Sequence, residues 1–260
     1  MGAFRQPARL PILDIWVDPV NRDEAIERVR GFLRNGNRPH SVFASNPEKQ
    51  FTVPRDPELY ECYRRADLLL PDGIGMVKAA RLLYGADLSR VPGSEFIFDL
   101  CKVAQEEEKG VFVYGAKEEV NAGSCEVLVE RFPGLKIVGR ANGYVKDEDM
   151  PELIERINES GAAVLFLALG SPIQEKWFAE HKDKLISVRV VQAVGGTLDT
   201  IGGNVKRAPE FWRRHNLEWL YRLLSEPGRI SRQWVLPIFA LLVAVAWLKK
   251  KVGMDGNRLD

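Results

Sequence analysis

Short apolar runs alternate with longer amphipathic stretches along most of the chain, and this alternation limits the folds open to it. Seven runs have the length and composition of buried strands: Ile12–Val17, Ser41–Ala44, Leu68–Leu70, Val111–Tyr114, Lys136–Val138, Val164–Ala168 and Arg189–Ala193. Eight stretches have the apolar spacing of helices: Arg22–Leu33, Asp56–Ala66, Gly75–Leu83, Ser94–Glu107, Glu118–Arg131, Pro151–Glu159, Ile173–Lys184 and Glu210–Leu224. Strands in alternation with helices predict an α/β fold, a mainly parallel sheet with helices on both faces.

Composition and cysteine usage narrow the class of protein. A chain of 260 residues, of which 45% are apolar, is long enough for one domain with a sizeable core and too apolar for a disordered chain. The three cysteines are widely spaced and form no C-x-x-C motif, so neither a zinc knuckle nor a redox dithiol is indicated and the cytoplasm is expected. Pro11 and Asp14 break the apolar stretch Leu10–Val17, which argues against an export signal.

The net charge of the whole chain is only +1, which argues against a nucleic-acid-binding protein with a broad basic surface. The charge is nevertheless uneven. Residues 205–260 hold eleven Lys and Arg against five Asp and Glu, a net +6, so the remainder of the chain is −5. We therefore expect a catalytic core over residues 1–204 and a basic helical appendage over residues 205–260.

The appendage contains an uncharged run, Trp234–Leu248, followed by Lys249–Lys251. Fifteen helical residues span about 22 Å, less than the roughly 30 Å of a bilayer core, and Pro237 is expected to interrupt the helix. Three interpretations remain open. The first is a helix in the membrane interface, anchored by Trp234, Trp247 and the lysines. The second is a short membrane span that does not match the bilayer thickness. The third is a core helix or the seam of a homo-oligomer.

Five turns that follow predicted strands are rich in small or acidic residues: Ser45–Glu48, Pro71–Gly75, Gly115–Lys117, Gly170–Pro172 and Gly195–Thr197. In open α/β sheets, ligands bind beyond the carboxyl ends of the strands. Glycine there lets the backbone approach a phosphate, and the next helix offers free N–H groups. Together the five turns indicate a phosphate-bearing ligand such as a nucleotide, although each turn alone also fits an ordinary tight turn with a helix cap.

Asp72 follows the apolar run Leu68–Leu70 and precedes Gly73–Gly75. A carboxylate at a strand end, beside glycines, is suited to act as a general base and equally suited to cap the next helix. The segment lacks the third glycine and the downstream acidic residue of a dinucleotide-binding motif. This weakens the alternative of a nucleotide-dependent oxidoreductase on the same type of fold.

No metal site is predicted. Asp147–Asp149 contains a D-x-D pattern, but the pattern precedes a helix, where acidic residues complement the helix dipole. A leaving diphosphate would then be neutralised by arginines. Four arginines of the appendage suit this role: Arg207, Arg222, Arg229 and Arg232. The alternative is that these arginines form a solvated basic face.

Eight motifs occur in a specific order: Asn46–Glu48, Leu70–Gly75, Arg90–Ser94, Gly143–Tyr144, Gly170–Glu175, Val194–Asp199, Arg207–Pro209 and Leu217–Arg229. With them the chain resembles the WecG/TagA/CpsF bacterial glycosyltransferases, glycosyltransferase family 26, over nearly its whole length. The resemblance implies a Rossmann-like fold and an inverting enzyme. It implies transfer of N-acetylmannosamine, its uronic acid or a related hexose from a UDP-sugar to a polyprenyl-diphosphate-linked saccharide. The reaction would serve cell-surface polysaccharide or teichoic acid synthesis at the cytoplasmic face of the membrane.

The resemblance also implies roles for particular residues. Asp72 corresponds to the family's proposed catalytic base, and Arg222, Arg229 and Arg232 correspond to arginines that close over the diphosphate. Further positions are expected to bind substrate: Asn46, Arg90, Gly115, Lys117, Gly143, Gly170, Gln174, Gly195, Asp199 and Arg207. We expect neither a metal nor another cofactor.

The chain departs from the family pattern in two places. Ala44 stands where relatives often have Thr, and the sequence leaves open whether the hydroxyl of Ser45 replaces it. The apolar run Val235–Leu248 and the lysines after it exceed what many relatives carry, which favours firmer membrane attachment. A non-catalytic module that binds a nucleotide sugar at the membrane remains a further functional interpretation.

Overall fold

The computed structural model describes residues 8–203, 211–212 and 234–252. The strands are β1 (Leu10–Ile12), β2 (Ile15–Val17), β3 (His40–Ser45), β4 (Leu68–Pro71), β5 (Gly110–Gly115), β6 (Lys136–Ala141), β7 (Val164–Ala168) and β8 (Val190–Ala193). The α-helices are α1 (Arg22–Asn35), α2 (Lys49–Thr52), α3 (Pro57–Arg64), α4 (Ile74–Tyr84), α5 (Gly93–Glu106), α6 (Glu118–Arg131), α7 (Met150–Glu159), α8 (Ile173–His181), α9 (Thr197–Ile201) and α10 (Val235–Lys251). Short 3₁₀ helices occupy Val53–Arg55, Asp147–Asp149 and Lys182–Lys184.

Six strands form one parallel sheet in the order β4-β3-β8-β7-β5-β6. Helices α1, α5, α6 and α9 cover one face, and α3, α4, α7, α8 and α10 cover the other. Every residue of Val164–Ala168 is buried, as expected for a strand of a parallel sheet that is covered on both faces. The predicted α/β fold, with a mainly parallel sheet between layers of helices, is therefore confirmed.

The first predicted strand, Ile12–Val17, is wrong as a single element. The chain turns at Leu13, which adopts a left-handed conformation with φ 56°, and β1 and β2 pair as an antiparallel hairpin outside the main sheet. Gln50 holds the turn from outside, because its Oε1 accepts from the N–H of Asp14 and its Nε2 donates to the Asp14 carboxylate. Helices α2 and α9 were not predicted, since four or five residues are too few to show helical periodicity.

The apolar run of the appendage forms α10, which packs against α4. Pro237 does not interrupt this helix: it is the third helical residue, where a backbone N–H has no intrahelical acceptor anyway. Phe239 and Val243 face the core, while Leu241 and Leu248 remain exposed. None of the described helices is both long and apolar enough to cross a bilayer.

The remainder of the appendage is not described. Of the predicted helix Glu210–Leu224, only residues 211–212 lie in the described part of the chain, and both are helical. The proposed division at residues 204 and 205 also falls outside it and stays a prediction.

Candidate active site

The carboxyl ends of the six parallel strands lie along one edge of the sheet, and the predicted site positions follow that edge. Asn46 and Asp72 come directly after β3 and β4, and Gly115 is the last residue of β5. Three more positions stand two residues beyond the ends of β6, β7 and β8: Gly143, Gly170 and Gly195. Helices α4, α6, α8 and α9 begin within a few residues, so their free N–H groups point toward the same edge. The substrate-binding roles of these residues remain predictions.

Asp72 is held at the end of β4 by its backbone. Its N–H donates to the carbonyl oxygen of Ser45 over 2.9 Å, which joins it to the end of β3. The N-cap residue of α4 is Gly73, with φ 91°, and not Asp72, so the alternative of a capping role for Asp72 is not supported. The N–H of Val91 donates to the carbonyl oxygen of Pro71 over 2.9 Å, which brings the loop with Arg90 beside Asp72.

The turn after β3 lies close against the start of α4. The side-chain oxygen of Asn46 accepts from the N–H groups of Glu48 and Lys49 at 3.1 and 3.3 Å, so this oxygen stabilises its own turn. A Cβ at Gly75 would lie 2.8 Å from Cγ of Pro47, closer than real Cβ contacts. Glycine at position 75 therefore allows α4, which follows Asp72, to approach the Asn46 turn.

The turns after β5 and β6 are also in contact. Gly115 has φ 126°, and a Cβ there would lie 2.4 Å from the backbone of Ala168, so no side chain fits. The N–H of Ala116 donates to the Ala168 carbonyl over 2.9 Å, and the N–H of Gly143 donates to the Ala116 carbonyl over 2.7 Å. Lys117, the N-cap residue of α6, is exposed at this place.

Gln174 connects the turns after β7 and β8. Its side chain is buried, and its Oε1 accepts from the N–H of Gly195 over 3.0 Å. Asp199 lies in the first turn of α9, where its Oδ2 would be 3.5 Å from a Cβ at Gly196. The structure thus brings Gln174, Gly195 and Asp199 to one part of the edge.

A buried polar cluster behind this edge was missed by sequence reasoning. Nζ of Lys49 donates to Oγ of Ser171 and lies 3.3 Å from Oε1 of Glu175. The hydroxyl of Tyr63 donates to the carbonyl oxygen of Ala44 over 3.0 Å and lies 3.5 Å from Oε1 of Glu175. Burial, followed by the nearby Glu175 carboxylate, raises the pKa of Tyr63 well above its ordinary value. We call Lys49, Glu175 and Tyr63 the buried cluster.

Ser45 does not replace the hydroxyl that Ala44 lacks. The Ser45 side chain is fully buried, and its Oγ donates to the carbonyl oxygen of Trp16 over 2.6 Å. Neighbouring residues of a strand point to opposite faces, and a Cβ at Gly93 would lie 3.2 Å from Cβ of Ala44. The methyl group of Ala44 therefore lies beside Gly93, on the side of the strand opposite to the Ser45 hydroxyl.

A cavity of about 380 Å³ lies beside the turn that contains Gly143. It is lined by Glu118, Arg140, Ala141, Asn142, Val145 and Arg156. Arg140 forms an ion pair with Glu118 in this lining, and the amide of Asn142 donates to the same carboxylate over 3.2 Å. These contacts lower the pKa of Glu118.

The arginines predicted to contact the diphosphate, Arg207, Arg222, Arg229 and Arg232, lie outside the described residues. Within residues 8–203, 211–212 and 234–252, no group of three or more His, Cys, Asp and Glu side chains is arranged to hold a metal ion. The roles of the arginines and metal-independent chemistry both stay predictions.

Comparison with known proteins now identifies the family. The model of the glycosyl transferase WecG/TagA/CpsF family matches residues 10–253. An N-acetylglucosaminyldiphosphoundecaprenol N-acetyl-beta-D-mannosaminyltransferase from Bacillus spizizenii strain W23 is 37% identical over 207 residues, which are 80% of this chain and 79% of the relative. A protein of the same name from Bacillus subtilis strain 168 is 36% identical over 206 residues, 79% of each chain. The chain is therefore a glycosyltransferase and belongs to the WecG/TagA/CpsF family.

Proposed function

We propose that this glycosyltransferase moves N-acetylmannosamine from a UDP-linked donor to a polyprenyl-diphosphate-linked N-acetylglucosamine, in the synthesis of a cell-surface polymer. The names of the two Bacillus relatives support this sugar and this acceptor. The donor nucleotide rests on the resemblance and on the turns at the strand ends, which suit a phosphate-bearing ligand. The uronic acid of the same sugar and a related hexose are the competing donors.

One observation supports a lipid-linked acceptor in particular: α10 lies beside the loop that contains Asp72. A Cβ at Gly75, three residues after Asp72, would be 3.7 Å from the ring of Phe239 on α10. The opposite side of α10 is apolar and exposed, with Leu241 at 64% and Leu248 at 52% exposure. A helix of this kind, ending in three lysines, suits the interface of an anionic membrane, where a polyprenyl acceptor is anchored.

In the proposed mechanism Asp72 is the general base. It accepts the proton of the acceptor hydroxyl while the hydroxyl oxygen attacks the anomeric carbon from the face opposite to UDP, so the configuration inverts as the bond to UDP breaks. The diphosphate lies near the turns at Gly115, Gly170 and Gly195. Arginines of the appendage, Arg222, Arg229 and Arg232, neutralise its charge.

The protein would act at the cytoplasmic face of the membrane. UDP-sugars are cytoplasmic metabolites, and the three cysteines are free and buried, which fits a reducing compartment. We propose that α10 lies in the membrane interface. This would place Asp72, at the carboxyl ends of the strands, near the diphosphate of the acceptor.

The test is a transfer assay with radiolabelled UDP-sugars and a synthetic polyprenyl-diphospho-N-acetylglucosamine in liposomes. The panel contains UDP-N-acetylmannosamine, its uronic acid, UDP-N-acetylglucosamine and UDP-glucose, each with a chelator and with added Mg²⁺. We expect transfer from UDP-N-acetylmannosamine, with an inverted anomeric centre and undiminished by the chelator. UDP-N-acetylglucosamine is the matched control, since it differs only in configuration at C2. Failure of every UDP-sugar would refute the proposal, and a strict need for Mg²⁺ would refute its metal-independent form.

A further inference from the structure

A buried ion pair joins two loops of the candidate site that the sheet itself does not place side by side. Lys49 follows the turn after β3, Glu175 lies in the first turn of α8 after β7, and strand β8 separates β3 from β7. We infer that Lys49 and Glu175 are positioning residues that keep the Asn46 turn and the Gln174 turn in the arrangement needed for sugar transfer. The inference rests on the proposed function and adds residues to it.

The contacts of the pair explain why it can fix both loops. Only 12% of the Lys49 side chain and 2% of the Glu175 side chain are exposed, so water screens their attraction weakly. Nζ of Lys49 also donates to Oγ of Ser171, in the turn that precedes α8. One ammonium group is therefore bonded both to the turn after β7 and to the helix that follows it.

The pair is adjacent to predicted ligand-binding residues at both ends. The N–H of Lys49 donates to the side chain of Asn46, so a shift of Lys49 moves the Asn46 turn. Glu175 directly follows Gln174, whose Oε1 accepts from the N–H of Gly195. Movement of the start of α8 would thus displace the turns after both β7 and β8.

Tyr63 extends the connection toward the proposed base. Its hydroxyl lies 3.5 Å from Glu175 and donates to the carbonyl of Ala44, one residue before the Ser45 carbonyl that accepts from Asp72. The four neighbouring loops after β4, β3, β8 and β7 are consequently joined through side chains and backbone. Displacement of a reacting group by about 1 Å is enough to cost up to about 100-fold in rate.

Substitution of Lys49 or Glu175 alone would not separate an effect on loop positions from a loss of folding stability. Oε2 of Glu175 is buried and has no hydrogen-bond partner within the described part of the chain, so Lys49→Met would leave a buried carboxylate without its cation. The double variant Lys49→Met/Glu175→Gln removes both charges and keeps the side-chain volumes close to the originals. Removal of both charges together leaves no unpaired buried charge, which is what makes a single substitution strongly destabilising.

Lys176→Met is a matched control in the same helix turn. Nζ of Lys176 pairs with Asp56 at 2.8 Å and Glu58 at 3.0 Å, both on the outer side near α3, and does not reach the strand-end loops. We therefore expect this variant to keep the parent turnover. A loss of turnover that came only from weaker packing of α8 against α3 would appear in this variant as well.

The experiment compares the parent, the double variant and Lys176→Met by thermal unfolding, by kcat and donor KM, and by amide hydrogen exchange at Gly195 and Lys49. In the double variant we expect a near-parent Tm, kcat lower by about 10- to 100-fold, a donor KM within about threefold of the parent, and faster exchange at both amides. Should the double variant not fold, Lys49→Met/Glu175→Leu makes the same test, because it also removes both charges and replaces the carboxylate by an apolar side chain of similar volume.

Parent turnover in the folded double variant would overturn the inference, and so would parent-like exchange at Gly195 and Lys49. An equal loss of turnover in Lys176→Met would also overturn it. If the parent itself transferred no sugar, the proposed function would fail instead, and the exchange rates would still decide whether the pair holds the two turns.

Discussion

The side-chain oxygen of Gln174 accepts a hydrogen bond of 3.0 Å from the backbone N–H of Gly195. This bond joins the start of α8 to the turn after β8, two segments that follow neighbouring strands of the sheet. Gly195 has φ 52°, a left-handed conformation that glycine adopts readily. It lies beyond the end of β8, so its N–H has no acceptor in the hydrogen-bond ladder of the sheet and needs one elsewhere. Gln174 supplies that acceptor from a buried position, with only 5% of the residue exposed.

We expect Gln174→Leu to lower both stability and transferase activity. The leucine fills similar space but leaves the Gly195 N–H without its acceptor, which costs about 1 kcal/mol in the free energy of unfolding. Turnover should fall as well, because the turn at Gly195 would no longer be fixed for the donor diphosphate. Urea unfolding and steady-state transfer kinetics measure the two effects. An unchanged free energy of unfolding together with unchanged donor KM and kcat would contradict this role of Gln174.

Asp72→Asn tests the proposed general base. The amide keeps the size of the side chain but cannot accept the acceptor proton, so turnover should fall by about 10² to 10⁴. Affinity for UDP, measured by calorimetry, should remain near that of the parent. Asp183→Asn, at an exposed position in the 3₁₀ helix after α8, is the matched control and should transfer at the parent rate. A fully active Asp72→Asn protein would rule out Asp72 as the base.

Glu107 gives the stability a defined pH dependence. Hydrogen bonds from Arg34 and Arg30 lower its pKa to about 2. A carboxylate whose pKa is lower in the folded state contributes stability that is present above its unfolded pKa of about 4.3 and is lost as the pH falls toward 2. The difference in free energy of unfolding between the parent and Glu107→Gln should therefore be constant near neutral pH and shrink between about pH 4.5 and pH 2.

Urea unfolding of both proteins at several pH values measures this difference. Glu108→Gln is the control, since Glu108 is exposed and forms no ion pair with any described residue. Its difference from the parent should not vary across the same pH window. A Glu107→Gln difference that persisted at pH 2.5 would show that the carboxylate contributes through something other than its charge.

The fold could be predicted from sequence largely because buried parallel strands and long amphipathic helices carry strong patterns. Val164–Ala168 has the predicted bounds in the structure, and the strongly amphipathic helix Met150–Glu159 begins one residue before the predicted start at Pro151. At the turn between β1 and β2, Asp14 was the only common turn residue, and Leu13, which adopts the left-handed conformation, is not a residue type expected to do so. Its left-handed backbone is stabilised by tertiary contacts, including the side chain of Gln50.

The candidate site could be predicted only in part. The positions of Asn46, Asp72 and Gly195 at one edge follow from the alternation of strands and helices, because parallel strands end on the same side. The pairing of Lys49 with Glu175, 126 residues away, depends on the order of strands in the sheet, which the local pattern does not contain. A carboxylate next to Gln174 in a family motif was the available signal, but it did not indicate its partner.

The outer face of α10 provides the last prediction, on membrane binding. Leu241 and Leu248 are exposed on a helix whose other side is held to the core by Phe239 and Val243. Nζ of Lys250 donates to the carbonyl of Leu83 over 2.6 Å, which fastens the end of α10 to α4. Substitution on the outer face should therefore leave the fold intact and change only what this face binds.

We expect Leu241→Asp and Leu248→Asp each to weaken sedimentation with anionic liposomes by about tenfold or more, since burial of one leucine side chain is worth about 1.5–3 kcal/mol. The Tm should stay close to that of the parent because both side chains are already exposed. Ile186→Asp is the matched control. Ile186 is 77% exposed and precedes β8, at the amino ends of the parallel strands and away from the candidate site, so its substitution should not affect sedimentation. Equal loss of binding in all three variants would point to nonspecific charge repulsion, and undiminished binding of the two α10 variants would exclude this face as the membrane contact.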